Sequence, residues 1–171
     1  MIGNRRLRDT LRLEIQGLGI VLYSPFSVRA IREGEDFLSK HYLHARDVIP
    51  HIEKGSIVGF GTGSPGIFNI DFFAGYPKEE FLNSQDFKLR LGLEVRNRTV
   101  CIRDLYDLMR WTTLCPKAQQ IELEDGYYHL TVCSELPESG TLGDDQPIAV
   151  FLKQLEQLPE LHYQGVPTLC A

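Results

Sequence analysis

Phe87-Lys88-Leu89-Arg90-Leu91-Gly92-Leu93-Glu94-Val95 decides the fold. Apolar residues occupy every odd position and polar residues or glycine every even one, the two-residue period of a strand with one face on a core and the other in water. A helix would need apolar residues three as well as four apart, and no two apolar residues here are three apart. Working outward, a turn at Asn97-Arg98 leads to a strand through Val100 and Ile102. Asp104 then caps a short helix carrying Leu105, Leu108 and Trp111, with Trp111 expected in the core.

Further on, Ile121 and Leu123 alternate with Glu122 and Glu124 up to Asp125-Gly126, a favoured two-residue hairpin turn, and Tyr128, Leu130 and Val132 resume the alternation. The polar stretch Pro137 to Pro147 reads as a loop, and a last strand runs from Ile148 to Leu155 with Ile148, Val150 and Leu152 on one face. Upstream, Ser56 to Phe60 and Ile67 to Phe73 read as a second hairpin around Gly61-Thr62-Gly63-Ser64-Pro65-Gly66. Thr10 to Tyr23 is one bulged strand or two short ones, and Asp47 to Gly55 a short helix with Pro50 in its first turn. From Phe26 to Leu43 the pattern is mixed, because Gly34 interrupts an otherwise helical spacing of Val28, Ile31, Phe37 and Leu38. The expected architecture is mainly β: one domain over residues 1–171, an antiparallel β-sandwich of about eight strands with two or three short helices.

At 171 residues with 43% hydrophobic side chains, the chain is large enough to bury its own core. Its basic start (Arg5, Arg6, Arg8, Arg12) is followed by an apolar stretch broken at Glu14, Gln16 and Gly17, so no secretory signal is expected. No stretch approaches the ~20 apolar residues of a membrane span, so a cytoplasmic location without membrane association is expected. Cys101, Cys115, Cys133 and Cys170 are scattered without a C-x-x-C spacing and read as reduced thiols. The net charge of −5 hides an asymmetry: residues 1–118 hold 17 basic and 14 acidic side chains, while residues 119–171 hold one basic (Lys153) and nine acidic. Such an acidic segment repels nucleic acid and attracts a basic protein, unless strands from both halves interleave and mix the surface.

The order of elements from Leu89 to Leu152, with Asp125-Gly126-Tyr127-Tyr128-His129-Leu130-Thr131-Val132-Cys133 as its most specific piece, resembles the bacterial competence protein J family. Members of that family bind and inhibit a partner nuclease. The resemblance covers about 70 residues of the C-terminal half, with looser similarity at Leu11 to Tyr23, and it implies a β-sandwich that works through its surface. The longer segment between Ser24 and Asp47 departs from the family pattern.

Candidate chemistry is sparse. Gly59, Gly61, Gly63 and Gly66 suggest a phosphate loop, but a strand follows them, with no helix and no Gly-Lys-Ser/Thr. Ser64 lacks the glycine two residues before it that a nucleophile elbow needs. His41, His44 and His51 with Asp47 have no metal-binding frame and read as solvated or hydrogen-bonding side chains. His129 and Cys133 share a strand face but lie roughly 13 Å apart. Glu122 and Glu124, expected about 7 Å apart on one strand face, read as a solvated pair.

The sequence therefore points to a non-enzymatic protein-binding module, an inhibitor or immunity-type protein with no cofactor, acting on a basic partner such as a nuclease. Glu122, Glu124, Asp125, Glu138, Asp144 and Asp145 are the expected partner-binding residues. The alternative is a small-molecule or carbohydrate-binding sandwich, with or without enzymatic activity, with exposed Tyr23, Tyr42 or Tyr127 around a cleft. A homo-oligomeric structural subunit is compatible with the same pattern.

Overall fold

The computed structural model describes residues 2–170, and among these nine strands form two stacked sheets. The first, sheet A, has the order β1-β4-β9-β8-β5, built from β1 (Leu11–Ile15), β4 (Gly66–Ala74), β5 (Phe87–Val95), β8 (Gly126–Ser134) and β9 (Gln146–Leu155). The second, sheet B, has the order β3-β2-β6-β7, from β2 (Gly19–Tyr23), β3 (Ile57–Gly61), β6 (Thr99–Asp104) and β7 (Gln120–Glu122). All neighbours are antiparallel except β4 and β9, which run parallel from Phe68↔Gln146 to Ala74↔Leu152. The sandwich and its short helices match the sequence expectation, with one strand more.

The alternation that identified β5 sets the register. Leu91 faces Leu130 and Leu93 faces Tyr128 across the β5–β8 pair, and Leu130 faces Leu152 across β8–β9. These side chains, with Leu11, Leu13, Phe68, Ile70 and Phe72, are buried against Ile20, Leu22, Val58, Phe60, Val100 and Ile102 of sheet B. Full burial of each large aliphatic side chain contributes roughly 1.5–3 kcal/mol, so the core drives the fold.

Neither predicted hairpin forms. β3 pairs with β2 in sheet B while β4 pairs with β1 in sheet A, so Gly61 to Gly66 carries the chain from one sheet to the other. Likewise β7 pairs with β6, and β8 pairs with β5 and β9, so Asp125-Gly126 is a sheet-crossing corner. A two-residue hairpin of the favoured type needs positive φ at both central residues. Gly126 has φ of 150°, but Asp125 is not in the positive-φ region. That geometry belongs instead to Asn97 (59°) and Arg98 (53°), at the β5–β6 corner.

Sheet B is buried on both faces, which explains the unbroken apolar run of β2. Its outer face is covered by residues 24–56 and 105–116. The first segment contains a 3₁₀ turn (Pro25–Val28), a π-helical turn (Leu38–Tyr42) and α1 (Ala45–Glu53), resolving a region whose sequence pattern was mixed. The helix begins two residues before Asp47, with His44 at its N-cap, so Pro50 sits inside it and not in its first turn. Asp104 does cap the 3₁₀ turn Leu105–Met109, accepting a hydrogen bond from the Tyr106 N–H, and Leu108 and Trp111 are buried. The outer face of sheet A carries a smaller apolar cluster, Phe73, Ala149 and Phe151, packed by Ile2 and by Phe81 of α2 (Glu79–Asn83). No helix among the described residues is long and apolar enough to cross a membrane.

Candidate partner-binding surface

The strand directions give the sandwich two ends. At one, which we call the corner end, lie Val95, Gly126, Leu155 and the β5–β6 and β7–β8 corners; at the other, the loop end, lie Ser134, Gln146, Ile15 and Gly66. The six acidic residues singled out from the sequence divide between them. Glu122, Glu124 and Asp125 sit at the corner end, while Glu138, Asp144 and Asp145 sit on the β8–β9 loop. Nine residues of β8 separate the groups, a span of about 25–30 Å. Glu124 has left β7, which ends at Glu122, so the two glutamates do not share a strand face.

At the corner end Asp125 and Glu122 are tied to Arg98, while Glu124 is held only through its backbone carbonyl. Asp125 accepts a hydrogen bond from the Arg98 N–H at 2.8 Å, and Glu122 lies 3.7 Å from the Arg98 guanidinium. The Tyr128 hydroxyl donates to the Glu124 carbonyl at 2.7 Å. Arg98, Glu122, Glu124 and Tyr128 border a cleft of about 530 Å³ whose lining adds Arg5 and Lys153. Positive and negative charges therefore alternate around it. Tyr127 stands beside this end under the Arg96 guanidinium, 5.3 Å from its ring centre. Tyr23 and Tyr42 are buried, their hydroxyls directed to Arg103 and the Ile57 carbonyl, so neither is available to an exposed cleft.

The loop end is different. Gly143 and Gly66 meet backbone to backbone: the Ile67 N–H donates to the Gly143 carbonyl at 2.7 Å, and a Cβ on Gly143 would stand 2.2 Å from the Pro65 carbonyl oxygen. The buried Gln146 side chain accepts from the Gly143 N–H and donates to Ser134. On this braced loop Glu138 and Asp144 are exposed, and Asp145 pairs with Arg12 at 2.8 Å. Toward the neighbouring seam, Glu14, Asp104 and Asp107 line a second cleft with Tyr106 and Met109, of about 450 Å³. Leu18, Tyr106, Met109 and Leu136 are exposed at this end. Sequence reading missed this apolar contribution because single exposed leucines and aromatics carry no periodic signal.

The remaining candidates take structural places. His41 stacks on Phe37 with ring centres 4.6 Å apart while remaining exposed, and half-buried His51 meets Phe37 edge-on at 5.3 Å. Burial, reinforced by His41, lowers the His51 pKa. His129 lies on the outer face of sheet A with its Nδ1 3.0 Å from the Tyr76 hydroxyl, and burial lowers its pKa as well. Burial pushes the Cys133 thiol up to about 11.

No family model matches this sequence, and no curated protein matches it. Two solved structures share its fold. The crystal structure of ComJ from Bacillus subtilis, an inhibitor of the DNA-degrading activity of NucA, aligns with a TM-score of 0.56 and 15% identity over 91% of this chain and 99% of that one. A structure described as crocagin biosynthetic gene J aligns with a TM-score of 0.52 and 12% identity over 84% of this chain and 95% of that one. The likeness spans both halves, so the resemblance placed on the C-terminal half was drawn too narrowly. At these identities it is a likeness of fold.

Proposed function

We propose that this chain is a protein-binding inhibitor whose partner is a basic protein, such as a nuclease. The observation that carries the reading is the end-to-end likeness to ComJ, whose described role is inhibition of a DNA-degrading activity. The loop end is the proposed contact surface: Glu138, Asp144 and Asp145 supply negative charge on a braced loop, and exposed Leu18, Tyr106 and Leu136 supply apolar area beside it. Complementary charge steers encounter, and apolar side chains near the centre of an interface contribute most of the affinity. Glu122, Glu124 and Asp125 are the second candidate surface, weakened as an attractor of cations by Arg5, Arg98 and Lys153 around them. The reading involves no cofactor and no nucleic-acid contact by this chain, and it places the encounter in the cytoplasm.

The test is capture from lysate of the source organism with the tagged chain, washed at low and at raised salt, followed by a DNA-degradation assay on what is retained. A basic protein that elutes as salt rises, and whose nuclease activity falls on titration with this chain, supports the proposal. If a retained protein's activity is unaffected, or if Asp144→Lys with Asp145→Lys leaves its salt-dependent association rate unchanged, inhibition or the loop-end surface respectively is overturned.

A further inference from the structure

β1 is an edge strand of sheet A, paired on one side only, with β4. Which of its backbone groups face outward follows from the bonding of β4. Phe72 and Ala74 turn toward the β1 side: the Phe72 carbonyl accepts from the Leu7 N–H, and the Ala74 N–H donates to the Arg5 carbonyl. Ile67 and Gly75 donate the other way, to the Gly143 and Leu152 carbonyls on the β9 side. The even-numbered residues of β4 therefore bond β1, and in the register Leu11↔Ile70, Leu13↔Phe68, Ile15↔Gly66 they engage Leu11, Leu13 and Ile15. Arg12 and Glu14 are left with N–H and C=O groups pointing away from the sheet, and among the described residues no loop or turn backbone bonds them. Their side chains stand on the exposed face, while Leu11, Leu13 and Ile15 are buried. Before β1, the Arg8 guanidinium closes the seam to sheet B by donating to the Ala118 and Gln120 carbonyls. From Leu13 onward the seam opens into the cleft lined by Glu14, Gln16, Asp104, Tyr106 and Met109, so the edge has room beside it.

An unpaired edge is a template for a further strand. What this edge accepts is set by its own sequence, because Arg12-Leu13-Glu14 is complementary in charge to itself when reversed. We infer that β1 pairs antiparallel with β1 of a second copy of this chain about a two-fold axis at Leu13, joining the two five-stranded sheets edge to edge. In this register Arg12 of each copy lies opposite Glu14 of the other, and these are the residues whose backbone groups point outward. Arg12 N–H then donates to Glu14 C=O and Glu14 N–H to Arg12 C=O, twice over by symmetry. The opposed side chains share the wet face, with Cα atoms roughly 5.5 Å apart and opposite charges in reach. Moving the axis to Arg12 or to Glu14 keeps the bonding parity but sets like charges against each other, so charge selects the register. Glu14 also borders the cleft with Asp104 and Asp107, and the ground that receives the arriving arginine is therefore negative. The Arg12–Asp145 pair within one copy is exposed on both sides and coexists with the new contact, since the guanidinium has further N–H donors.

The test is sedimentation velocity of the full chain, loaded from about 10 μM to about 1 mM because one pair of short strands gives an interface at the weak end of the range. The expected result is reversible dimerisation. Arg12→Glu and Glu14→Arg each replace both attractive pairs with repulsive ones and are expected to raise the dissociation constant about tenfold or more, while the two changes combined return it to within about threefold of the wild type. Both positions are exposed, and matching unfolding midpoints establish that the variants are folded. Hydrogen exchange of the wild type at the two ends of the concentration range reads the backbone without any variant: the Arg12 and Glu14 amides are expected to slow at the higher loading. The inference is overturned if the chain stays monomeric across the range, if the combined variant associates no better than the single ones, or if a dimer forms while the Arg12 and Glu14 amides keep their monomer exchange rates.

Discussion

The two ends of the sandwich solve the same problem by different means. Each must turn the chain where strands stop, and each carries three of the acidic residues singled out from the sequence. At the corner end the turn is held by side chains: Asp125 fixes the Arg98 N–H, and Tyr128 fixes the Glu124 carbonyl. At the loop end it is held by backbone, with Gly66 and Gly143 in contact, and by the uncharged side chain of Gln146 buried beneath. The difference bears on function, because Asp125, whose carboxylate braces the corner, is not free to meet a partner, whereas the loop-end bracing leaves Glu138 and Asp144 outward. The loop end therefore offers negative charge without conflict between stability and binding.

The largest effect is expected from removing the backbone bracing. Gly143→Ala places a Cβ against the Pro65 carbonyl at a φ of 80°, so both the conformation and the space are wrong. The expected loss is about 3 kcal/mol or more in denaturant unfolding, with the m-value unchanged. Asp125→Ala is the matching test at the corner end. It removes one charge-assisted hydrogen bond from an exposed corner, and the expected loss is about 1 kcal/mol by the same measurement. If the two losses were equal, the distinction between backbone and side-chain bracing would be wrong.

How much of this was legible in the sequence follows from the same contrast. Strands were legible, because alternation such as Leu89 to Val95 reports which face meets a core. Which sheet a strand joins was not, because Gly61 to Gly66 and Asp125-Gly126 have the composition of hairpin turns yet serve as corners between sheets. Turn residues report that the chain bends, and only tertiary packing decides where it goes. The acidic residues were legible as a set, and their division between two ends was not, since sequence distance across the β8–β9 loop runs against spatial distance along β8. Burial of Tyr23 and Tyr42 depends on the cover formed by residues 24–56, whose pattern is broken at Gly34.

The binding side of the comparison is tested by charge reversal at one end at a time. With a partner in hand, Glu138→Lys with Asp144→Lys is expected to slow association about tenfold at low salt, with the difference shrinking as salt rises. The equivalent change at the corner end, Glu122→Lys with Glu124→Lys, is expected to alter the rate less than half as much on a logarithmic scale, because Arg5, Arg98 and Lys153 already offset those carboxylates. Equal effects from the two pairs would assign the partner to a surface that reaches both ends, and a larger corner-end effect would reverse the assignment.

The smallest effect isolates charge from structure. Arg12 and Asp145 form an ion pair at 2.8 Å, but their side chains are 61% and 57% exposed. In water such a pair is worth little, because solvent screens the attraction and fixing two mobile side chains opposes it. Arg12→Ala is therefore expected to change stability by less than about 0.5 kcal/mol. It removes the cation that neutralises Asp145, so the loop end becomes more negative without any change in its bracing. Association with a basic partner should quicken by about twofold at low salt and be unchanged at high salt. Stopped-flow rates across a salt series read this directly. Slower association would mean that Arg12 itself touches the partner, and the acidic loop would then be one side of a mixed-charge contact.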